Sequence, residues 1–226
     1  MHIFADSLEL SADRGPVYGP LTFAAGDGLT VVRGDAGSGR TSLLLTLAGR
    51  MKSDAGDLTI GGYTLPRDIR AIQKLTGIAG FAGIDDLEQS VTVGAALRER
   101  QAWLAPWWAR VRKLNDVEVA ALCADVFGEN PIPGANKVIW DLDDTSAFLL
   151  RIALAMMGNP EILFVDDIEQ IRARDSRSVI WTRLAQLSEL TAVVVAASSL
   201  DVPLWESLEI NPAVVDMSGE RVKETV

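Results

Sequence analysis

The run Gly34-Asp35-Ala36-Gly37-Ser38-Gly39-Arg40-Thr41-Ser42 limits what this chain can fold into more than any other stretch. It follows Leu29–Arg33, a short β-rich run, and leads into residues 42–49, a leucine-rich segment that reads as a helix. Residues 34–41 fit G-x-x-x-x-G-K-[ST] at every fixed position except one, where Arg40 stands in place of lysine. Glycines let the backbone turn tightly, so that successive N–H groups point into one concavity. The helix N-terminus that follows adds the positive end of its dipole. Gly34, Ala36, Gly37, Ser38, Gly39, Arg40, Thr41 and Ser42 are therefore candidate phosphate-binding residues. The Thr41 hydroxyl is a candidate ligand for Mg²⁺, and Arg40 a candidate contact to the outer phosphates. Arginine can grip phosphate through a planar fork, but it does not fill the lysine's space as a point charge.

A second run, Ile162-Leu163-Phe164-Val165-Asp166, reads as a buried strand ending in an acid. Asp166 is the second candidate Mg²⁺ ligand. The next residue, Asp167, stands where a general base would sit and is the candidate catalytic residue. Its side chain is one methylene shorter than glutamate, which restricts its reach to an attacking water.

The remaining pattern alternates strands and helices. Residues 2–10, 17–24 and 29–33 read as strands. A Gly61-Gly62 turn joins two further short runs. Residues 93–105, 117–127, 145–157 and 177–190 read as helices. Ala192–Ala197 reads as a buried strand, and Ala213–Asp216 as an edge strand. This order predicts a parallel α/β sheet. The chain has 226 residues, 48% of them hydrophobic, enough for a sizeable core. With 31 acidic and 21 basic residues it carries a net charge of −10, so nucleic acid is not an expected partner. The lone Cys123 excludes an internal disulfide and a cysteine-cluster metal site. The lone His2 disfavours histidine-based catalysis or metal ligation. The N-terminus lacks the pattern of a signal peptide, and no apolar run is long enough to span a bilayer.

Taken in order along nearly the whole chain, these pieces resemble the nucleotide-binding subunit of an ATP-binding cassette (ABC) transporter. The resemblance rests on the 34–42 loop, Leu47-Ala48-Gly49-Arg50, Gly56-Asp57-Leu58-Thr59-Ile60-Gly61-Gly62, Ser90-Val91-Thr92-Val93, and Arg151-Ile152-Ala153-Leu154-Ala155 running through Asn159-Pro160 to Asp167. The loop sequence is similar to an actinobacterial-looking branch in which arginine replaces the lysine. The resemblance implies an α/β fold: a P-loop NTPase (RecA-like) core with an N-terminal antiparallel β subdomain and an inserted helical subdomain. Residues 1–226 would form a single ABC-type domain, with the core and β subdomain at about 1–90 and 158–226 and the helical subdomain at about 91–157. It implies ATP and Mg²⁺ as ligands and a membrane permease subunit as partner. It also implies a homodimer or a heterodimer with another ATP-binding subunit. The chain would be cytoplasmic, peripheral at the inner face of the membrane through that partner.

Several positions depart from the family pattern. The signature motif falls on Leu142-Asp143-Asp144-Thr145-Ser146, where two carboxylates would approach a polyphosphate across a dimer. At about 5 Å and an effective dielectric of about 20, each approach costs about 3 kcal/mol per charge pair. Alternatively, Asp143 and Asp144 cap the helix starting near Thr145. The switch histidine is absent from Ala197 and Ser198, and no glutamine stands at Gly83 or Ile84. Tyr18 reads as a strand residue rather than an adenine stack, and Arg14 is a candidate stacking cation in its place. Asp85, Asp86 and Glu88 read as a solvated turn rather than a metal site. Trp103, Trp107 and Trp108 fit either a partner surface or the core of the helical subdomain. Two functions follow: an energy-coupling ATPase with slow hydrolysis, or a non-catalytic regulatory subunit. A small-molecule kinase or GTPase is disfavoured, since no guanine-reading motif is present. A nucleic-acid-directed ATPase is disfavoured by the charge.

Overall fold

The computed structural model describes residues 3–13 and 15–217. His2 and Arg14 lie outside the described residues. The chain begins with β1 (Ile3–Ala12) and β2 (Gly15–Ala25), then β3 (Leu29–Arg33) and α1 (Arg40–Leu47). Next come β4 (Ala55–Ile60), β5 (Tyr63–Leu65), α2 (Ile69–Leu75) and β6 (Thr76–Ala79). Three helices follow, α3 (Val93–Leu104), α4 (Asp116–Phe127) and α5 (Asp144–Met156). The chain returns through β7 (Ile162–Val165), α6 (Arg174–Leu187), β8 (Ala192–Ala197), α7 (Val202–Ser207) and β9 (Ala213–Asp216).

Two sheets organise these elements. An antiparallel sheet has the order β2-β1-β4-β5, and a parallel sheet the order β6-β7-β8-β3-β9. The parallel strands read as unbroken apolar runs because both faces are covered, and successive side chains supply opposite cores. Leu163, Val165, Val193 and Val195 enter a core with α3, α4, α5 and α6. Ile162, Phe164, Val194 and Ala196 enter the other, packed against α1 and the antiparallel sheet. The first core runs without a break from the parallel sheet into the helices of residues 91–157.

Differences from the sequence reading are local. The reading did not include α2, β6 or α7. β6 is a four-residue edge strand containing Gly77, and it is fixed by its register on β7. Tyr18 lies buried in β2 and donates its hydroxyl to Thr46 Oγ1 at 2.8 Å, which accounts for its place in a strand.

Phe164 is fully buried in the layer between the two sheets. Phe164→Ala is expected to cost about 3–5 kcal/mol, read as a fall in the denaturant midpoint with an unchanged slope.

Candidate functional site

Because all five strands of the second sheet run parallel, their C-terminal ends lie along one edge, and the loops after β3, β7 and β8 meet there. Gly34 N–H donates to the Ala197 carbonyl at 3.2 Å, tying the loop after β3 to the end of β8. Asp35 closes a turn by accepting from Ser38 N–H at 3.0 Å. Ala36 and Gly37 are exposed, and Ser38 is half-buried. Gly39 caps α1 in the left-handed region (φ 82°), and a Cβ there would strike the Val17 carbonyl oxygen, so only glycine fits. No side chain caps α1, and its first turn holds no acid. The free N–H groups of that turn therefore face the loop concavity. Ser42 is half-buried, and its carbonyl accepts from the Thr46 hydroxyl.

The two candidate Mg²⁺ ligands are brought together. Thr41 Oγ1 donates to Asp166 Oδ2 at 2.5 Å. A hydroxyl and a carboxylate oxygen side by side, beneath a glycine cradle and an uncapped helix start, fit Mg²⁺ with a polyphosphate. That cation takes few protein oxygens and keeps phosphate and water ligands. Burial raises the Asp166 pKa above the usual carboxylate range, against the lowering effect of the Thr41 hydrogen bond. Asp167 is exposed and left-handed (φ 49°). Lost hydration and the neighbouring Asp166 and Glu169 charges raise its pKa.

Arg40 is engaged within the site. Its Nη1 pairs with Glu169 Oε1 at 3.3 Å. The same oxygen accepts from Ser198 N–H. Burial pushes the Glu169 pKa up, but the Ser198 hydrogen bonds and the Arg40 charge outweigh it, and the net shift is downward. Glu169 thus takes the backbone N–H at the position where the sequence resemblance places a histidine. The sequence reading missed it. The one available signal was an acid two residues past the strand-end pair.

Other singled-out residues are also resolved. Asp143 caps α5, accepting from Ser146 N–H at 2.9 Å, and Asp144 opens the helix. Asp85 is not part of a solvated turn. It accepts from Gly80 and Phe81 N–H and forms a two-pronged pair with Arg151 (3.1 and 2.7 Å), fixing α5 to the loop after β6. Asp86 and Glu88 remain exposed, and among the described residues no cluster of three or more acidic, cysteine or histidine side chains could hold a metal. Trp103, Trp107 and Trp108 are exposed, so they do not fill the helical core.

No family model matches the chain. Solved structures match it closely in shape. A protein of Pyrococcus furiosus described as an ABC transporter (ATP-binding protein) aligns with a TM-score of 0.72 and 17% identity, covering 96% of this chain and 98% of that one. The ADP conformation of an ATP-binding cassette of an ABC transporter aligns with a TM-score of 0.73 and 15% identity, covering 96% and 87%. The fold is that of an ATP-binding cassette. Sequence relatives of the cassette include the cytochrome c biogenesis ATP-binding export protein CcmA of Pseudomonas putida, 35% identical over 133 residues, 55% of this chain and 63% of that protein. The phospholipid-transporting ATPase ABCA3 of Rattus norvegicus is 23% identical over 198 residues, 87% of this chain but 10% of that protein. The chain therefore spans less than two thirds of these relatives. Among the described residues, no helix is long and apolar enough to cross a membrane.

A raised Asp166 pKa means that the folded state binds that proton more tightly than the unfolded chain does. The stability it confers is complete below the ordinary aspartate range and is lost as pH rises through the folded pKa. In metal-free protein at neutral pH, Asp166→Asn is expected to raise the thermal midpoint. The gain should shrink in acid, as followed by circular dichroism across a pH series.

Proposed function

We propose that this cassette is the ATP-binding subunit of an ABC transporter, binding Mg-ATP on residues 34–42 and hydrolysing it slowly to drive or gate a membrane permease partner. The observation that carries this reading is the Thr41–Asp166 pair at the foot of a helix whose first N–H groups have no side-chain cap. Thr41 and Asp166 would hold Mg²⁺, which neutralises phosphate charge when bound. Arg40 contacts the outer phosphates once it leaves Glu169. Asp167 orients water and accepts its proton. Binding at this loop then requires polyphosphate to outcompete one carboxylate for one guanidinium.

Asp143 and Asp144 at the start of α5 disfavour a symmetric nucleotide sandwich. A homodimer would carry that repulsion twice, whereas a heterodimer with an ATP-binding subunit of ordinary signature would carry it once. A groove of about 550 Å³ between the loop after β6 and helices α3 and α5, lined by Ile84, Leu87, Val91, Trp103 and Leu154, suits an amphipathic helix of the permease. In this reading the subunit is cytoplasmic and peripheral at the inner face of the membrane through that partner. The Arg40–Glu169 pair also favours a second reading, a non-catalytic regulatory subunit that holds nucleotide weakly.

Mg-ATP binding and single-turnover cleavage separate these outcomes. Arg40→Ala should weaken binding about tenfold or more, because a charge-assisted phosphate contact is lost. Glu169→Gln should tighten binding by about three- to tenfold, because a part-exposed ion pair worth about 1 kcal/mol no longer competes. Cleavage abolished by Asp167→Asn supports the ATPase, and retained nucleotide without cleavage supports the regulatory subunit. Binding unchanged in both Arg40→Ala and Glu169→Gln would refute the assignment of the site.

A further inference from the structure

The second half of α3 and the connection to α4 depart from the rest of the chain in charge and in polarity. Residues 98–113 carry Arg98, Arg100, Arg110, Arg112 and Lys113 against the single acid Glu99, in a chain whose net charge is −10. The same segment holds three tryptophans with no core role, of which Trp103 lines the groove beside the loop after β6 and the other two do not. Trp107 is 92% exposed and Trp108 69% exposed. Their rings meet edge to face, with centroids 5.7 Å apart. Indoles this exposed are costly in water unless something covers them, and tryptophan beside lysine and arginine is the pairing found at bilayer interfaces.

A cleft of about 850 Å³ lies between the end of α3, residues 110–112 and the faces of α4 and α5, and Leu104, Ala105 and Arg110, on either side of Trp107 and Trp108 in the chain, line it. Leu104, Val111, Leu122, Met156 and Met157 supply its apolar wall, and Arg110 and Arg112 also line it. Its two acids are balanced: Glu118 pairs with Arg112, and Asp125 lies in the field of Arg183. Arg98, Arg110 and Lys113 are exposed. An apolar wall lined by cations, on the same segment as two exposed indoles, suits a surface that is both anionic and acyl-lined. A purely polyanionic partner would leave the wall and the indoles uncovered.

We propose that residues 98–113 dock directly on an anionic lipid bilayer, with Trp107 and Trp108 at headgroup depth and Arg110 and Lys113 on the lipid phosphates. The contact is independent of nucleotide and goes beyond attachment through a permease. It gives the subunit its own affinity for the membrane surface, set by lipid charge and by salt.

The full chain is tested by co-sedimentation with vesicles of phosphatidylcholine alone and of phosphatidylcholine with phosphatidylglycerol. Binding is expected only with the anionic vesicles, falling steeply when salt rises from about 0.05 M to about 0.5 M as surface charge is screened. The double variant Trp107→Ala/Trp108→Ala and the double variant Arg110→Glu/Lys113→Glu should each bind at least tenfold more weakly. Trp140→Ala, at an exposed tryptophan outside the segment, should bind as the parent does. Circular dichroism and Mg-ATP affinity establish that the variants are folded. No sedimentation with anionic vesicles at low salt overturns the proposal and assigns the patch to a protein partner. Equal binding by parent and both double variants overturns it as well. Loss of nucleotide binding in Arg40→Ala with vesicle binding intact would bear on the nucleotide site alone.

Discussion

Two-sided burial of the parallel sheet is the constraint on which the rest of the molecule depends. β7 and β8 have no wet face, so every residue in them must be apolar, and alternate side chains are divided between two cores. The polar groups that the chain needs can then stand only where the strands stop. Asp166, Asp167, Ser198 and the glycine loop are gathered at one edge for that reason. The Asp166 N–H donates to the Ala79 carbonyl at 2.9 Å, so the first acid after β7 is still pinned to the neighbouring β6 as the chain leaves the sheet.

Arg40 and Arg151 both bear on the carboxylates at that edge. Arg40 faces Glu169 directly and also lies in the field of Asp166 and Asp167. Burial is the main reason the pKa values of Asp166 and Asp167 are raised, and the Glu169 charge adds to it at both, against the opposing charge of Arg40 and, at Asp167, of Arg151. A bound cation would relieve the repulsion between these carboxylates. The Glu169 contact with Ser198 N–H holds the carboxylate of this segment against the end of β8. The Arg40 guanidinium is thus already engaged, and an anion that uses it must displace the Glu169 contact as well as fill a space.

Much of this was legible in the sequence because its signals are local. Leu29–Arg33, Ile162–Val165, Ala192–Ala197 and Ala213–Asp216 have the bounds that their apolar runs suggest, and Gly61-Gly62 turns β4 into β5. Helix ends were less legible. α6 begins at Arg174, three residues before the periodic stretch, because its first turn is polar and solvated. β6 carries no strand signal of its own and exists through pairing with β7. The Asp85–Arg151 pair joins residues 66 positions apart, and nothing local predicts it. At this edge, the glycine loop and the acid that ends β7 could be read from spacing, whereas the contact of Glu169 with Arg40 could not. That contact comes from the 3₁₀ turn Ile168–Gln170, which swings Glu169 back towards Arg40 and the end of β8. The tryptophans of the α3–α4 connection were ambiguous in sequence, since core and surface use the same residue type; exposure separates the two.

Amide hydrogen exchange on the full chain, with and without Mg-ATP, shows most directly whether the loop after β3 seats phosphate. Nucleotide seated on the α1 N-terminus should slow exchange at residues 37–42, and at 166–169 through the Thr41–Asp166 contact, while α4 exchanges as before. A folded protein that shows no protection at residues 37–42 under saturating Mg-ATP would contradict the assignment of this loop as the phosphate site.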